Sequence, residues 1–220
     1  MPRDTFEDDL ETLQTDVCAL GADVTERLER AVTAYEQRDP AMGRAVVEAD
    51  SEINDRYLDL EADCIDLLAL QQPVASDLRL VVASFKILTD LERVADLASN
   101  LGSYVDAMAT DTVPSVPITD ISEMALAQLD GALTAYETND ADLCRDVAAA
   151  DTDLDQRCVA AIDDLVRALV DHPFDDVAAT LADTKRYLLT VRDLERAGDH
   201  AVNIAARTLY MVEMDDELIH

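Results

Sequence analysis

The chain is poor in everything a β-sheet or a nucleic-acid binder requires. It has no tryptophan, five glycines, and aromatic side chains at only 4% of its 220 positions. So few glycines and so few strand-like alternations leave no room for a sheet, and the fold class is all-α. Lysine occurs only at Lys86 and Lys185, and 17 basic side chains stand against 48 acidic ones, a formal charge of −31. Binding a phosphate backbone requires Lys and Arg to displace counterions, so nucleic acid is excluded as a partner. Three histidines are too few for most acid–base schemes, and there is neither a glycine-rich phosphate loop nor a nucleophile set beside a base. Cys18, Cys64, Cys144 and Cys158 show no CxxC spacing and read as buried thiols of a reducing compartment. No apolar run approaches the length of a membrane span, and the opening MPRDTFEDDL has no apolar signal region. A cytoplasmic protein without membrane insertion is expected, free to dock on a membrane protein.

The acidic excess is itself patterned. Asp outnumbers Glu by 34 to 14, and Arg replaces Lys almost throughout. Mutual repulsion among so many carboxylates opposes compaction in dilute buffer, but at molar salt the Debye length falls to about 3 Å and the penalty fades. The composition resembles a halophile's surface, with an acidic mesophilic protein as the alternative.

Apolar residues recur at three- and four-residue spacing. Phe6, Leu10, Leu13, Val17, Leu20, Val24, Leu28, Val32 and Tyr35 mark one long amphipathic helix. Asp39-Pro40 supplies an N-cap and a first helical residue, and a second helix is expected to run from there to about Leu70. Gln72-Pro73 breaks the chain, and Leu80, Ile87, Leu91, Val94, Ala98, Leu101, Val105 and Met108 mark a third helix. Three helices joined by short turns form an antiparallel bundle.

The pattern then starts again. Ala34-Tyr35-Glu36 answers Ala135-Tyr136-Glu137, Ala49-Asp50 answers Ala150-Asp151 and Arg56 answers Arg157, all at an offset of 101. Asp90-Leu91-Glu92-Arg93 answers Asp193-Leu194-Glu195-Arg196 at an offset of 103. The chain is a tandem duplication: a first three-helix bundle over 1–110, a linker over 111–118 with Pro114 and Pro117 nearby, a second bundle over 119–215 and a tail over 216–220. The opening helix of the second copy should be the shorter one, and His172-Pro173 should help end a helix.

Within the repeated phrase, Glu92, Asp96 and Asn100 fall on one side of a helix, turned away from Leu91, Val94, Ala98 and Leu101. Glu195, Asp199 and Asn203 do the same in the second copy. The middle helices add Asp50 and Asn54, then Asp151 and Asp155, also four apart. Carboxylates at that spacing repel unless a cation relieves them, so two facing helices so equipped could hold a metal ion. In a chain this acidic such pairs arise by chance; their retention at equivalent places in two diverged copies makes them candidates. Arg93 and Arg196 should pair with neighbouring acids, Tyr35 and Tyr136 should pack in the core, and His200 is open between a ligand, a donor to a ligand and a solvated side chain.

QQPVASDLRLVVASFKILTDLERVADLASN and DLERAGDHAVNIA, with the Glu48 to Arg56 opening of the middle helix, resemble the signature segments of the PhoU family over nearly the whole chain. The resemblance implies two similar three-helix bundles carrying multinuclear metal clusters, iron or zinc, with manganese or magnesium also open. It implies metal ligation by Glu92, Asp96, Glu195 and Asp199, with Asp50, Asn54, Asp151 and Asp155 as companions and Asn100 and Asn203 in the same stripe. It also implies a non-enzymatic regulator that damps the high-affinity phosphate ABC transporter when phosphate is plentiful, with the transporter's ATPase subunit as partner and a phosphate-responsive signalling protein or a second copy of the chain as further partners. Two departures stand out: Ala95 and Leu97 occupy the places held by Gly198 and His200 in the second copy. The competing readings are a carboxylate-bridged metal-dependent hydrolase or redox enzyme, and a metal-free interaction module.

Overall fold

The computed structural model describes residues 3–71, 73, 75–106, 117–171 and 176–219, and among them the chain is helical with no strand. The helices are α1 (Arg3–Gln37), α2 (Pro40–Glu48), α3 (Asp50–Gln71), α4 (Ser76–Asp106), α5 (Thr119–Thr138), α6 (Ala141–Asp171) and α7 (Val177–Glu213). The first copy is α1 to α4 and the second is α5 to α7, with α5 at 20 residues against 35 in α1, as the repeat predicts. Most of the linker at 111–118, together with Met108 and His172-Pro173, lies outside the described residues; Ile118 is buried in the core.

Local chemistry sets the turns. Arg38 adopts a left-handed backbone, and Asp39 then caps α2 by accepting from the Ala41 and Met42 amides at 2.9 and 3.1 Å, with Pro40 in the first turn. The second copy repeats the device at the same offset: Asn139 is left-handed, and Asp140 accepts from the Asp142 and Leu143 amides at 3.0 Å each.

The middle helix of the first copy departs from expectation. It is not continuous from Pro40 to Leu70 but is interrupted at Ala49, whereas α6 runs unbroken through the equivalent Ala150. The cause lies at Gly43 and Gly102, where a Cβ added to either residue would meet the other's carbonyl oxygen at 2.7 Å. Only two glycines permit that approach, which draws α2 onto α4. Cys144 and Ala205 stand at the equivalent positions of α6 and α7, where no glycine pair permits so close an approach.

α4 and α7 lie side by side at the centre. α1, α2 and α3 wrap α4, α5 and α6 wrap α7, and α1 also meets α5. The two copies are therefore not separate cores: a single cluster of buried apolar side chains, from Leu10 to Met211, runs through both. Tyr136, fully buried on α5, ties the copies together, its hydroxyl 2.6 Å from Ser84 Oγ on α4 and its carbonyl accepting from the Gln14 amide at 2.7 Å. Tyr35 is in the core as well. Cys64, Cys144 and Cys158 are buried free thiols, but Cys18 is only half-buried, a correction to the expectation for all four, because its side of α1 borders the open groove beside Leu133 and Glu137.

Candidate functional site

The helical period places the acids where the spacing predicts. Glu92 and Glu195 are half-buried at the edge of the apolar seam, while Asp96 and Asp199 are exposed one turn farther on. Asp50 and Asp151 are half-buried on the facing middle helix, with Asn54 and Asp155 exposed beyond them. Asn100 is exposed on the α4 stripe.

In the second copy these groups act on one another. Burial raises the Glu195 carboxyl above its usual range, and Asp155, Asp199 and Asp151 raise it further. Asp199 is raised by burial and by Asp155, against the opposing pull of His200 and Arg196. Asp151 is raised by burial, then by Asp155 and Asp199, while a hydrogen bond from Gln128 acts the other way. Four carboxylates from two helices thus share one electrostatic environment.

Gln128 of α5 is the residue that sequence reasoning missed. It is 4% exposed, and its amide nitrogen donates to Val147 O at 3.4 Å and to Asp151 Oδ1 at 3.3 Å, both long. Its Oε1 is buried without a hydrogen-bond partner. It is aimed at Gly198 on α7, where an added Cβ would collide with Leu154 Cδ2 and meet Gln128 Oε1 at 2.7 Å and Asp151 Oδ1 at 3.6 Å. The glycine lets Leu154 and the orphaned amide oxygen of Gln128 pack directly against the α7 backbone, close to the Asp151 carboxylate.

The first copy is built differently at the same place. Burial and then the neighbouring charges of Asp96 and Asp50 raise Glu92, with Arg93 and His200 opposing. The position equivalent to Gln128 is Arg27, 5% exposed, whose Nη2 donates to Val46 O and Asp50 Oδ1 at 2.8 Å each and lies 2.7 Å from Ser99 Oγ. Ser99 donates in turn to the same Asp50 oxygen at 2.9 Å. The available signal for both residues was a polar side chain interrupting an apolar stripe at one register in both copies: Arg27 between Val24 and Leu28, Gln128 between Ala125 and Leu129.

The rest of the repeated phrase joins the two halves. His200 Nδ1 lies 2.9 Å from Asp90 Oδ1, and the Asn203 amide donates to the same oxygen at 3.4 Å. Across the seam, the Tyr104 hydroxyl donates to Asp193 Oδ2 at 2.9 Å, and Arg192 donates to Asp193 Oδ1 at 2.7 and 3.1 Å. The first aspartate of each DLER thus faces a residue of the other copy, a role set by helix packing rather than by motif. Arg93 pairs loosely with Glu92 at 3.6 Å.

Among the described residues, no three His, Cys, Asp or Glu side chains already converge as a metal-ligand set. The donors of the second copy nonetheless fit a hard or borderline cation: four carboxylates beside an orphaned amide oxygen. In the first copy the central carboxylate is engaged by a guanidinium.

A family model described as PhoU domain matches residues 17–105 and again 118–208, one match in each half. The Pseudomonas putida protein named phosphate-specific transport system accessory protein PhoU homolog is 30% identical over 214 residues, covering 96% of this chain and 82% of that one. Its Escherichia coli (strain K12) counterpart, the phosphate-specific transport system accessory protein PhoU, is 28% identical over 213 residues, covering 96% and 86%. The crystal structure of PhoU from Pseudomonas aeruginosa matches with a TM-score of 0.88 at 30% identity, over 96% of this chain and all of that one. The phosphate transport system regulatory protein PhoU from Streptococcus pneumoniae matches at the same TM-score and 25% identity. With two domain matches that coincide with the two structural halves, and likeness running from α1 to α7, the chain belongs to the PhoU family.

Proposed function

We propose that the chain is a non-enzymatic regulator of phosphate homeostasis. It damps a high-affinity phosphate ABC transporter when phosphate is plentiful, docking from the cytoplasm on the transporter's ATPase subunit, with iron or zinc held by surface carboxylates. The observation that carries this reading is the span of the likeness: proteins named for the phosphate-specific transport system match 96% of the chain, through both halves and both stripes. No helix of the described residues is long and apolar enough to cross a membrane, so contact with a transporter would run through a protein surface. A formal charge of −31 suits a basic patch on that partner and a fast, salt-sensitive encounter.

Asp151, Asp155, Glu195 and Asp199, with Gln128 beside them, would hold the metal ion, which when bound supplies positive charge to an otherwise repelling cluster. The chain's own contribution is to fix those donors on two packed helices, since α6 and α7 share a core through Leu154, Cys158, Leu194 and Ala197.

Uptake of radiolabelled phosphate by host cells lacking the chain tests the reading. Uptake in phosphate-rich medium should rise above the parent and return when the wild-type chain is restored, and the tagged chain should co-purify the transporter's ATPase subunit from phosphate-rich cells. Unchanged uptake in both rich and poor medium would overturn it.

A further inference from the structure

We infer that the two copies are not equivalent metal sites: the second holds the cation, and in the first the guanidinium of Arg27 takes the cation's place. The inference rests on the metal reading above and concerns which half carries it.

The argument comes from laying the copies over one another. Arg27 and Gln128 stand at the same register, each reaching the carbonyl at the same point of the middle helix (Val46 or Val147) and the same carboxylate (Asp50 or Asp151). The difference between them is charge. Asp50 Oδ1 accepts from Arg27 at 2.8 Å and from Ser99 at 2.9 Å, which occupies both of its lone-pair directions. Asp151 Oδ1 receives one long contact from a neutral amide, and Val202 replaces Ser99 at the equivalent place on α7. A cation taking Asp50 Oδ1 would have to displace a guanidinium that is 5% exposed and leave it buried without that partner, and one bound to the same carboxylate beside it would face its positive charge.

One further substitution and the orphaned polar atoms point the same way. Asn54 stands where the second copy has Asp155, so the first cluster has three carboxylates with a buried guanidinium among them, while the second has four with the neutral Gln128 in that place. At this register the orphaned polar atom of the second copy is Gln128 Oε1, an acceptor short of a cation or a proton, whereas those of Arg27 are Nε and Nη1, donors with nothing to offer a metal. Both differences leave fewer oxygen acceptors for a cation on the first side than on the second.

The test measures bound metal on the full chain, stripped with chelator, loaded separately with Fe(II) or Zn(II), desalted and analysed by inductively coupled plasma mass spectrometry. Asp155→Asn combined with Asp199→Asn should lose the metal, while Glu92→Gln combined with Asp96→Asn should keep the wild-type content. Arg27→Gln, which copies Gln128, should raise the content above wild type, and adding Glu92→Gln and Asp96→Asn should remove that increment. The thermal shift on loading serves as a second readout and should follow the second-copy residues alone. Because the carboxylate variants alter exposed or half-buried side chains, they decide the point even if Arg27→Gln is poorly folded. Loss of metal in the first-copy variant with Arg27 in place would overturn the inference and leave the metal reading standing. A wild-type chain that takes up neither metal would overturn both.

Discussion

Tyr104→Phe removes one oxygen atom from the seam between the copies. The Tyr104 hydroxyl donates at 2.9 Å to Asp193, whose side chain is wholly shielded from solvent, and the other carboxylate oxygen is held by Arg192 at 2.7 Å. A hydrogen bond to a charged acceptor contributes about 1.5–3 kcal/mol, and the upper part of that range applies where the oxygen left behind cannot reach water. For a chain of 220 residues the unfolding entropy is about 0.5 kcal/mol/K, so the melting temperature should fall by about 3–6 °C. Calorimetry at fixed KCl measures the shift, and because one apolar cluster spans both halves a single transition is expected. A cycle with Asp193→Asn should return a coupling of about 1 kcal/mol or more. The same contact predicts a pH dependence. Burial, then the bond to Asp193, pushes the Tyr104 phenol up to about 12. The unfolded phenol ionises near 10, so between about pH 10 and 12 the native state holds a proton that the unfolded state has released, and stability falls as pH rises through that window. The gap between wild type and Tyr104→Phe should therefore narrow above pH 10. A melting shift under about 1 °C, or strictly additive single variants, would show that the seam is held by apolar packing of α4 on α7 alone.

Gly102→Ala should destabilise despite the roughly 1 kcal/mol that alanine gains in a helix, because its Cβ would stand 2.7 Å from the Gly43 carbonyl and force α2 off α4; a urea midpoint at or above wild type would refute the close crossing. Burial pushes the thiols of Cys18 and Cys144 up to about 11 and those of Cys64 and Cys158 to about 12, so at pH 8 the thiolate fraction is about one in a thousand or less. Ellman's reagent should react slowly with the native chain and rapidly with all four thiols in denaturant, and a fast native phase would contradict that. With a formal charge of −31, the melting temperature should climb as KCl rises from about 0.1 M to 2 M; a flat profile would count against carboxylate repulsion as the main opposing force.

Much of the fold was legible because helices are periodic and their ends are chemical. Leu10, Leu13, Val17, Leu20, Val24 and Leu28 announce the buried face of α1 by spacing alone, and all six are in the core. Asp39-Pro40 names its own turn. The acidic stripes were legible for the same reason: residues four apart share a helix face whatever lies across from it. What spacing could not supply was the occupant of the space opposite.

The sequence by itself determined the helical class, the duplication at offsets of 101 and 103, and the faces on which Glu92, Asp96, Glu195 and Asp199 stand. Each follows from interactions within a few residues or from repetition along the chain. Only the tertiary structure decided that Arg27 closes on Asp50 while Gln128 stays half-satisfied beside Asp151, that Asp90 meets His200 and Asp193 meets Tyr104, and that the middle helix turns at Ala49. The hydrogen bonds join residues 23 to 110 positions apart, and the turn reflects a glycine crossing 59 positions apart. Such pairings depend on which helix lies across from which, and that is fixed by burial of a shared core rather than by any local pattern.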